Sequence, residues 1–191
     1  MMATATDRMP PIAPDAMSSE QRRHAEAIMR GPRGALYGPF VPLLRSPQLM
    51  DRVQRVGEYL RYHSAIGNTL SELVILITAR QWNQTVEWAI HEPIARKAGI
   101  SADLIRAIAD GQEPHEAGND ERIVYDFCSE LHRTRSVSDT TYGRALARFG
   151  EAGVIDITGL SGYYTLLAMV MNVARTPQPP DTEPAQIPLP E

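Results

Sequence analysis

Helical patterning runs through almost the whole chain and leaves little room for a β-sheet. Ser18 and Gln21 have the spacing of a capping box. Ser46 followed by Pro47 is typical of the first residues of a helix. Apolar side chains recur every three or four residues, and the best strand candidate, residues 74–78, lies inside such a helical pattern. The sequence therefore predicts an all-α fold, a compact bundle of about eight helices joined by short loops.

Capping residues, glycines and prolines set the boundaries of the predicted helices. Gly99 is suited to end one helix and Ser101 to begin the next. Pro93 is expected either to kink its helix or to separate two helices. The predicted helices span about residues 18–30, 47–63, 83–98, 101–111, 120–134, 138–150 and 154–174, with a further helix from Thr69 and a Gly/Pro-rich loop at 31–44.

Two proline-rich ends frame a single predicted domain. The length of 191 residues suits one domain with a sizeable core. Residues 1–17 contain three prolines and residues 177–191 contain six, so both ends are predicted to be disordered or extended. Residues 18–176 are predicted to form the helical domain.

The composition disfavours several classes of protein. The net charge is −4 and the basic residues are scattered, which argues against a nucleic-acid partner. The single cysteine, Cys128, excludes an intrachain disulfide and a site built from several thiolates. The N-terminus lacks the apolar core of a signal peptide, and the apolar segment 154–174 contains enough polar residues to favour a buried helix over a membrane span. We therefore expect a cytoplasmic protein without a membrane partner.

A polar group in one predicted helix is the main candidate for chemistry. Glu87 and Gln84 lie four and seven residues before His91, so all three share one helix face. Partial burial of this face is expected to shift the pKa values of its side chains, although an ordinary surface ion pair has the same spacing. The other face carries an apolar ladder formed by Val86, Ile90 and Ile94.

Glu72 is a second acidic candidate, in the preceding predicted helix. It lies in an otherwise apolar run and is expected to be buried unless it belongs to the first turn of that helix. Thr69 and Glu72 also have capping-box spacing, in which case Glu72 would bond back to the start of its own helix. Both interpretations are compatible with the sequence.

The order Glu72, eleven residues, Gln84, two residues, Glu87, three residues, His91 resembles the frame of the alkylhydroperoxidase D active site. In that family the frame is Glu-x11-Cys-x2-Cys-x3-His, and its two cysteines carry a redox cycle. The carboxymuconolactone decarboxylases, a sister branch of the same superfamily, also lack the cysteine pair and keep a Glu-x3-His. Because a glutamine cannot form a sulfenic acid, the dithiol cycle is excluded at these positions.

The resemblance to carboxymuconolactone decarboxylase-like proteins covers roughly residues 30–176 and is carried also by residues 39–50, 71–80 and 162–175. It implies an all-helical fold that assembles into homo-oligomers, either trimers or hexamers, with the motif in a pocket near a subunit interface. It also implies a cofactor-free loss of CO2 from a small carboxylated lactone.

The implied chemistry gives a role to each candidate residue. Loss of CO2 leaves a dienolate, which must be stabilised and protonated. His91 is expected to donate the proton, Glu87 to orient its imidazole, and Glu72 to return a proton to it. Substrate contacts are expected from the Gln84 amide, the Arg80 guanidinium and the Trp88 ring. A tyrosine hydroxyl is a further expected contact, from Tyr164 or from its neighbour Tyr163, between which the sequence does not decide.

Other functions are compatible with the same residues. One is a peroxide-reducing relative in which Cys128 is the reactive thiol, although its position on a core-facing stripe predicts a buried residue. Another is a non-catalytic helical oligomer that binds a small molecule in an inherited pocket. A metal site formed by Glu72, Glu87 and His91 is disfavoured because no second histidine is nearby, so no metal is expected. The resemblance implies that the reaction needs no cofactor.

Overall fold

The computed structural model, which describes residues 6–31 and 33–178, confirms the all-α prediction. The described residues form eight helices and no strand. In chain order the helices are α1 (Ser19–Arg30), α2 (Phe40–Leu43), α3 (Pro47–Tyr62), α4 (Gly67–Gln81), α5 (Thr85–Lys97), α6 (Ala102–Ala109), α7 (Asn119–Thr134) and α8 (Asp139–Ala174).

The helix α4 lies at the centre of the bundle and contacts α3, α5, α6, α7 and α8. Every residue from Leu70 to Ala79 is buried, which explains why this helix is apolar on nearly all sides and not along a single stripe. Ser71 and Thr78 donate their hydroxyl protons to main-chain carbonyls one turn earlier. Glu72 is therefore the buried side chain of α4 that needs a charged partner from another helix.

Several helix ends follow the predicted signals. Ser18 and Gln21 form the capping box of α1. Ser101 and Ser138 each accept a main-chain hydrogen bond at the start of α6 and of α8, respectively. Pro47 is the first residue of α3, where its fixed φ and missing N–H are tolerated. Local capping chemistry therefore decides these boundaries.

Three boundaries differ from the prediction. The segment predicted as a loop, residues 31–44, contains the one-turn helix α2. The helix α4 begins at Gly67, two residues before the predicted start at Thr69, whose hydroxyl instead donates to the carbonyl of Ala98 over 2.8 Å. The helix α5 continues through Pro93, which therefore does not separate two helices.

The last helix joins two predicted helices, residues 138–150 and 154–174. The helix α8 is kinked at Gly150, whose φ of 68° and ψ of 179° are not helical. Among the described residues α8 alone is long and apolar enough to cross a membrane, and 56% of its most apolar stretch is buried in the bundle. Such a helix is weak evidence for a membrane span, because a buried core helix has the same length and composition.

The N-terminal segment, residues 6–17, runs along the bundle without regular structure. The main-chain N–H of Arg8 donates to the carbonyl of Ala174 over 2.8 Å, which attaches this segment to the end of α8. Residues 1–5, and residues 179–191 of the predicted C-terminal tail, lie outside the described residues.

Gly57 allows α3 and α8 to approach each other, because it leaves room for the side chain of Tyr163. A methyl group added at Gly57 would lie 2.1 Å from the Tyr163 hydroxyl oxygen. We expect Gly57→Ala to lower the free energy of unfolding, measured by urea denaturation, by about 1–3 kcal/mol. Gly162→Ala in α8 is the control: nothing lies within 4 Å of its added methyl group, so stability should be unchanged or slightly higher. Equal losses in both variants would contradict the steric explanation.

Candidate active site

Glu72 of α4 and His91 of α5 meet in the interior of the bundle. Glu72 Oε2 lies 2.7 Å from His91 Nδ1, and the two side chains are 0% and 3% exposed. Of the two interpretations that the sequence left open for Glu72, the structure shows the buried one, since its carboxylate points to another helix and not back to the start of α4. A contact this short is typical of a charge-assisted hydrogen bond, in which each group stabilises the charged form of the other.

Glu87 lies on the opposite side of the imidazole ring. Its Oε1 is 3.3 Å from His91 Nε2, and its side chain is 4% exposed. Each ring nitrogen of His91 thus faces a carboxylate, and a doubly protonated imidazole can donate to both. Burial by itself would lower the pKa of His91, but the hydrogen bonds with Glu72 and Glu87 outweigh burial and raise that pKa above its usual value.

The polar face of α5 is buried more deeply than most of its predicted apolar ladder. Glu87 and His91 point into the core, whereas of the ladder only Val86 is buried and Ile90 and Ile94 are half-buried. The polar face tolerates this burial because the carboxylate of Glu72 gives it a partner inside the bundle. Helical periodicity identified which residues share a face, but not which face points inward.

Arg61 of α3 completes the group, and the sequence analysis did not identify it. Its Nε lies 3.7 Å from Glu72 Oε1, and its side chain is 12% exposed. Burial opposes the charge on the guanidinium, but Tyr164 and Glu72 favour it, and the pKa of Arg61 is raised overall. The sequence contained one signal, because Arg61 continues the four-residue spacing of the buried Val53 and Gly57. We call Arg61, Glu72, Glu87 and His91 the buried charge cluster.

Two tyrosines of α8 pack beside the buried charge cluster. The ring of Tyr164 meets the imidazole of His91 edge-on, with 5.3 Å between centroids and 88° between planes. Tyr163 packs edge-on against Tyr164 at 5.2 Å. Burial is the main cause that raises the pKa of Tyr163 to about 12 and that of Tyr164 well above its usual value. Both phenols therefore keep their protons at neutral pH, and Tyr164 is the one that contacts the cluster.

Arg33, in the loop between α1 and α2, approaches Tyr163. Its Nη2 donates to the Tyr163 hydroxyl over 3.4 Å, and its guanidinium carbon lies 4.4 Å from the centre of the Phe40 ring. Its Nε is buried and has no hydrogen-bond partner among the described residues. Because buried guanidinium N–H groups are normally paired, this N–H is available to an acceptor on a bound molecule.

Two carboxylate oxygens of the buried charge cluster also accept no hydrogen bond from the described residues. These are Glu72 Oε1 and Glu87 Oε2, both buried. Arg61 Nε stands 3.7 Å from the Glu72 oxygen, which is ion-pair distance but beyond a hydrogen bond. Glu87 Oε2 is thus the oxygen of the cluster that has neither a hydrogen-bond donor nor a nearby cation among the described contacts.

The side chains of Gln84 and Trp88, two of the predicted substrate contacts, are engaged in helix capping and core packing. Gln84 is the N-cap of α5: its Oε1 accepts the N–H of Val86 over 2.8 Å, and its Nε2 donates to Asn172 over 2.7 Å. Trp88 is buried in the core with 4% of its surface exposed. The described contacts of Gln84 therefore serve the helix and not a ligand.

Arg80, predicted to bind a substrate carboxylate, is occupied elsewhere. Its Nε donates to the carbonyl of Ala109 over 2.7 Å, and its Nη1 donates to Asn83 Oδ1 over 2.8 Å. Eight residues separate it from Glu72, which is about 12 Å along the axis of α4. The structure therefore does not bring Arg80 to the buried charge cluster.

The arrangement of the cluster does not resemble a metal site. In the part of the chain that the structure describes, no three His, Cys, Asp or Glu side chains are placed to hold a metal ion. The imidazole of His91 stands between Glu72 and Glu87, with one carboxylate at each nitrogen, so the three groups do not converge on one point.

Cys128 of α7 is an enclosed thiol. It is 0% exposed, its Sγ lies 3.6 Å from the Ser161 hydroxyl, and burial raises its pKa to about 12. Because the thiolate is the reactive form, we expect the native protein to resist alkylation by iodoacetamide at neutral pH. The same thiol should react once the protein is unfolded in urea, which mass spectrometry can follow. Rapid alkylation of the native protein would contradict the burial of this thiol.

Three solved structures share this helical architecture. A protein from Ralstonia eutropha JMP134, described as an alkylhydroperoxidase AhpD core and an uncharacterized peroxidase-related protein, has a TM-score of 0.73 and 14% identity, covering 94% of this chain and 95% of its own. An uncharacterized peroxidase-related protein from Silicibacter sp. TM1040 has a TM-score of 0.69 and 13% identity, and the match covers 95% of this chain and 97% of that protein. A protein of unknown function from Agrobacterium tumefaciens, whose description names the antioxidant defence protein AhpD, has a TM-score of 0.64 and 16% identity, covering 72% and 94%.

No family model matches the sequence, and no curated protein matches it. Sequence identities of 13% to 16% to the solved structures are evidence about the fold and not about the reaction. The reaction must therefore be argued from the buried charge cluster itself.

Proposed function

We propose, from the alkylhydroperoxidase D-like fold that this chain has, that it is a cofactor-free lyase or isomerase. Its substrate would be a small carboxylated lactone or keto acid, as in the carboxymuconolactone decarboxylases that the motif resembles. The proposal about the reaction is supported by the buried charge cluster, whose two carboxylates and imidazole are suited to proton transfer.

One observation carries the proposal. Glu87 has one buried oxygen without a hydrogen-bond donor among the described residues, and its other oxygen contacts His91. Both nitrogens of His91 already face carboxylates, so His91 reaches a substrate only by giving up one of these contacts. We therefore assign proton exchange with the substrate to Glu87, with His91 supplying the proton and Glu72 holding His91 in place. The sequence had suggested the reverse order for Glu87 and His91.

The proposed reaction starts from the carboxylated lactone bound as its anion. The carbon–carbon bond to the leaving carboxylate breaks, CO2 departs, and the electron pair remains on the lactone as a dienolate. Glu87, protonated by His91, gives its proton to carbon, and His91 recovers a proton from solvent. The net change is the loss of one CO2 and the gain of one proton, and no electron acceptor is needed.

The charges of the cluster favour this proton movement. Glu72 and Glu87 are offset by Arg61 and a protonated His91, so the cluster is neutral as a whole. Transfer of a proton from His91 to Glu87 converts one ion pair into two neutral groups. A buried site tolerates that change because no net charge is created.

The test is CO2 release from γ-carboxymuconolactone in D2O, with mass spectrometry of the remaining lactone. Wild type should release CO2 and place one deuterium on the protonated carbon. Glu92→Gln is the control, because Glu92 follows His91 on α5 but pairs with Arg96 near the surface, and it should keep full activity. If wild type releases no CO2 from carboxylated lactones and exchanges no solvent deuterium into keto acids, a non-catalytic ligand-binding protein becomes the better interpretation.

The descriptions of two matched structures as peroxidase-related favour a second candidate, the reduction of peroxides. Two electrons must then come from the protein, and Cys128 is the one cysteine of the chain. Because the Cys128 thiol is fully buried, a peroxide cannot reach it in the folded protein, which disfavours this reaction. Consumption of cumene hydroperoxide in the presence of dithiothreitol, lost in Cys128→Ser, would support the second candidate; the first candidate predicts no protein-dependent consumption.

We also propose that the chain forms a homo-oligomer, a trimer or a hexamer, through α3 and α8. Val56 and Tyr59 of α3 are 51% and 49% exposed, and Ile155 of α8 is 68% exposed. The Tyr59 hydroxyl donates to Asp156 over 3.4 Å, which brings this part of α3 next to the part of α8 that carries Ile155. We assign these exposed apolar side chains to the interface. Light scattering should find the oligomer in wild type and a smaller species in Ile155→Arg. A monomeric wild type would contradict this proposal.

A further inference from the structure

Decarboxylation at the buried charge cluster removes the carboxylate of the reacting carbon as CO2, so the rest of the substrate needs a second contact that holds it. We propose that Arg33 supplies this contact by binding a second carboxylate that the substrate retains, so that the substrate is an acid with one anionic group apart from the carboxylate that it loses. The inference rests on the proposed function, since it names the substrate class of the same site.

The contacts of Arg33 leave it available to an anion. Its Nε is buried without a partner among the described residues, and its Nη2 makes only a long hydrogen bond, 3.4 Å, to the hydroxyl of Tyr163. The face of the guanidinium lies against Phe40, so its edge is what remains for hydrogen bonding. A carboxylate accepts two parallel hydrogen bonds from the edge of a guanidinium, which fits these unpaired N–H groups.

Two other arginines close to the motif are already committed. Arg61 pairs with Glu72 inside the buried charge cluster. Arg80 donates to the carbonyl of Ala109 and to Asn83. Diverting either one to a substrate would leave a buried group without its partner, which costs free energy. Arg33 has no ion pair with any described carboxylate, so binding a substrate through Arg33 breaks no existing ion pair.

The charges near the site also match one carboxylate. Glu72 and Glu87 offset Arg61 and a protonated His91, which leaves the charge of Arg33 uncompensated. The charges of Arg33, Arg61 and Glu87 all act on the Tyr163 hydroxyl, so these groups share one electrostatic environment. A single bound carboxylate would neutralise the charge of Arg33. An uncharged ligand would leave this partly buried cation without a counter-charge.

Aromatic surface joins Arg33 to the cluster. Arg33 contacts Tyr163, Tyr163 packs on Tyr164, and Tyr164 packs on His91. A ligand that follows these contacts meets a cation at one end, aromatic rings in the middle and the free oxygen of Glu87 at the other end. A small, flat, unsaturated ring acid has this order of groups, with its carboxylate at Arg33 and its reacting carbon at Glu87.

The test compares the binding of (5-oxotetrahydrofuran-2-yl)acetate, a lactone whose carboxylate is not attached to the ring carbon, with that of its neutral carboxamide by isothermal titration calorimetry. Wild type should bind the carboxylate about tenfold more tightly, and Arg33→Met should lose this difference while keeping its weak binding of the carboxamide. Arg33→Lys should give an intermediate preference because it keeps the charge but not the paired N–H groups. Arg30→Met is the control, because Arg30 is 77% exposed and pairs with Glu26 on α1.

Each result decides the inference. No binding of the carboxylate by wild type, no preference over the carboxamide, or an equal preference in Arg33→Met would overturn it. Thermal melting of each variant excludes loss of fold as the cause. A wild type that keeps the Arg33-dependent preference but releases no CO2 from carboxylated lactones rejects the proposed reaction and leaves the anion site standing.

Discussion

Glu87→Gln is expected to reduce kcat for CO2 release from γ-carboxymuconolactone by about 100- to 10,000-fold. Glutamine has the shape of glutamate and preserves the packing of α5, but it cannot hold and release a proton. Because the lost interaction belongs to the transition state, kcat should fall much more than KM changes. Initial rates of CO2 release across a range of substrate concentrations measure both quantities.

His91→Ala should cause a loss of similar size, because Glu87 then has no neighbouring proton source. The double variant Glu87→Gln/His91→Ala should be little worse than either single variant, since residues that act as one unit are not additive. A double loss equal to the product of the two single losses would show that Glu87 and His91 act independently. Full activity in Glu87→Gln would reject its role as the proton donor.

The pH dependence of kcat gives a readout that a purely structural role would not change. His91 must carry its proton, so kcat should fall as pH rises through the folded pKa of His91, which lies above the usual value of 6.5. Glu72→Gln weakens the hydrogen bond that raises this pKa, and the descending limb should move to lower pH. Glu92→Gln, as a surface control on α5, should leave the profile unchanged.

The sequence was sufficient to predict the all-α fold, whereas the pairing of the two motif helices was implied only by the resemblance. Helix caps and glycines are local signals, and they located the ends of α1, α3, α6 and the start of α8. The spacing of Glu72, Glu87 and His91 was informative because it matched the frame of a known fold. The structure places these three side chains in contact, at 2.7 Å and 3.3 Å from the imidazole nitrogens.

The remaining contacts could not be read from periodicity, because it reports which residues share a face of one helix and not which helix they meet. Arg61 comes from α3 and Arg33 from a loop, each far in sequence from His91. Arg80 was favoured because it lies in the same segment as the motif, yet it is about two turns of α4 beyond Glu72 and donates to the carbonyl of Ala109. Only the packing of α3 and α8 on α4 decides which cations reach Glu72.

Glu72→Gln is expected to lower the free energy of unfolding near pH 6 by about 3–5 kcal/mol. Glu72 is completely buried and offsets the charges of His91 and Arg61. Removing one partner of a buried ion pair leaves the others with an uncompensated charge, which costs much more than the pair is worth on the surface. Urea denaturation measures the loss, and Glu92→Gln, which removes a more exposed ion pair, should cost no more than about 1 kcal/mol.

The size of this loss should depend on pH in a defined direction. The folded state raises the pKa of His91, so between the unfolded value near 6.5 and the higher folded value the native protein holds more protons than the unfolded chain. The stabilisation from His91 is therefore fully present below about pH 6.5 and is lost as pH rises through the folded pKa. Wild-type stability should decrease with pH in that window, and Glu72→Gln should show a weaker decrease.

A double-mutant cycle separates the Glu72–His91 contact from the general cost of altering the core. Each single substitution, Glu72→Gln or His91→Gln, leaves a buried charged partner uncompensated, whereas the double variant removes both charges of the contact. The double variant should therefore be less destabilised than the sum of the single variants, and the difference should shrink as pH rises and His91 loses its proton. Strict additivity at pH 6 would mean that the 2.7 Å contact contributes no stabilisation, and the assignment of a charged imidazole to this site would fail.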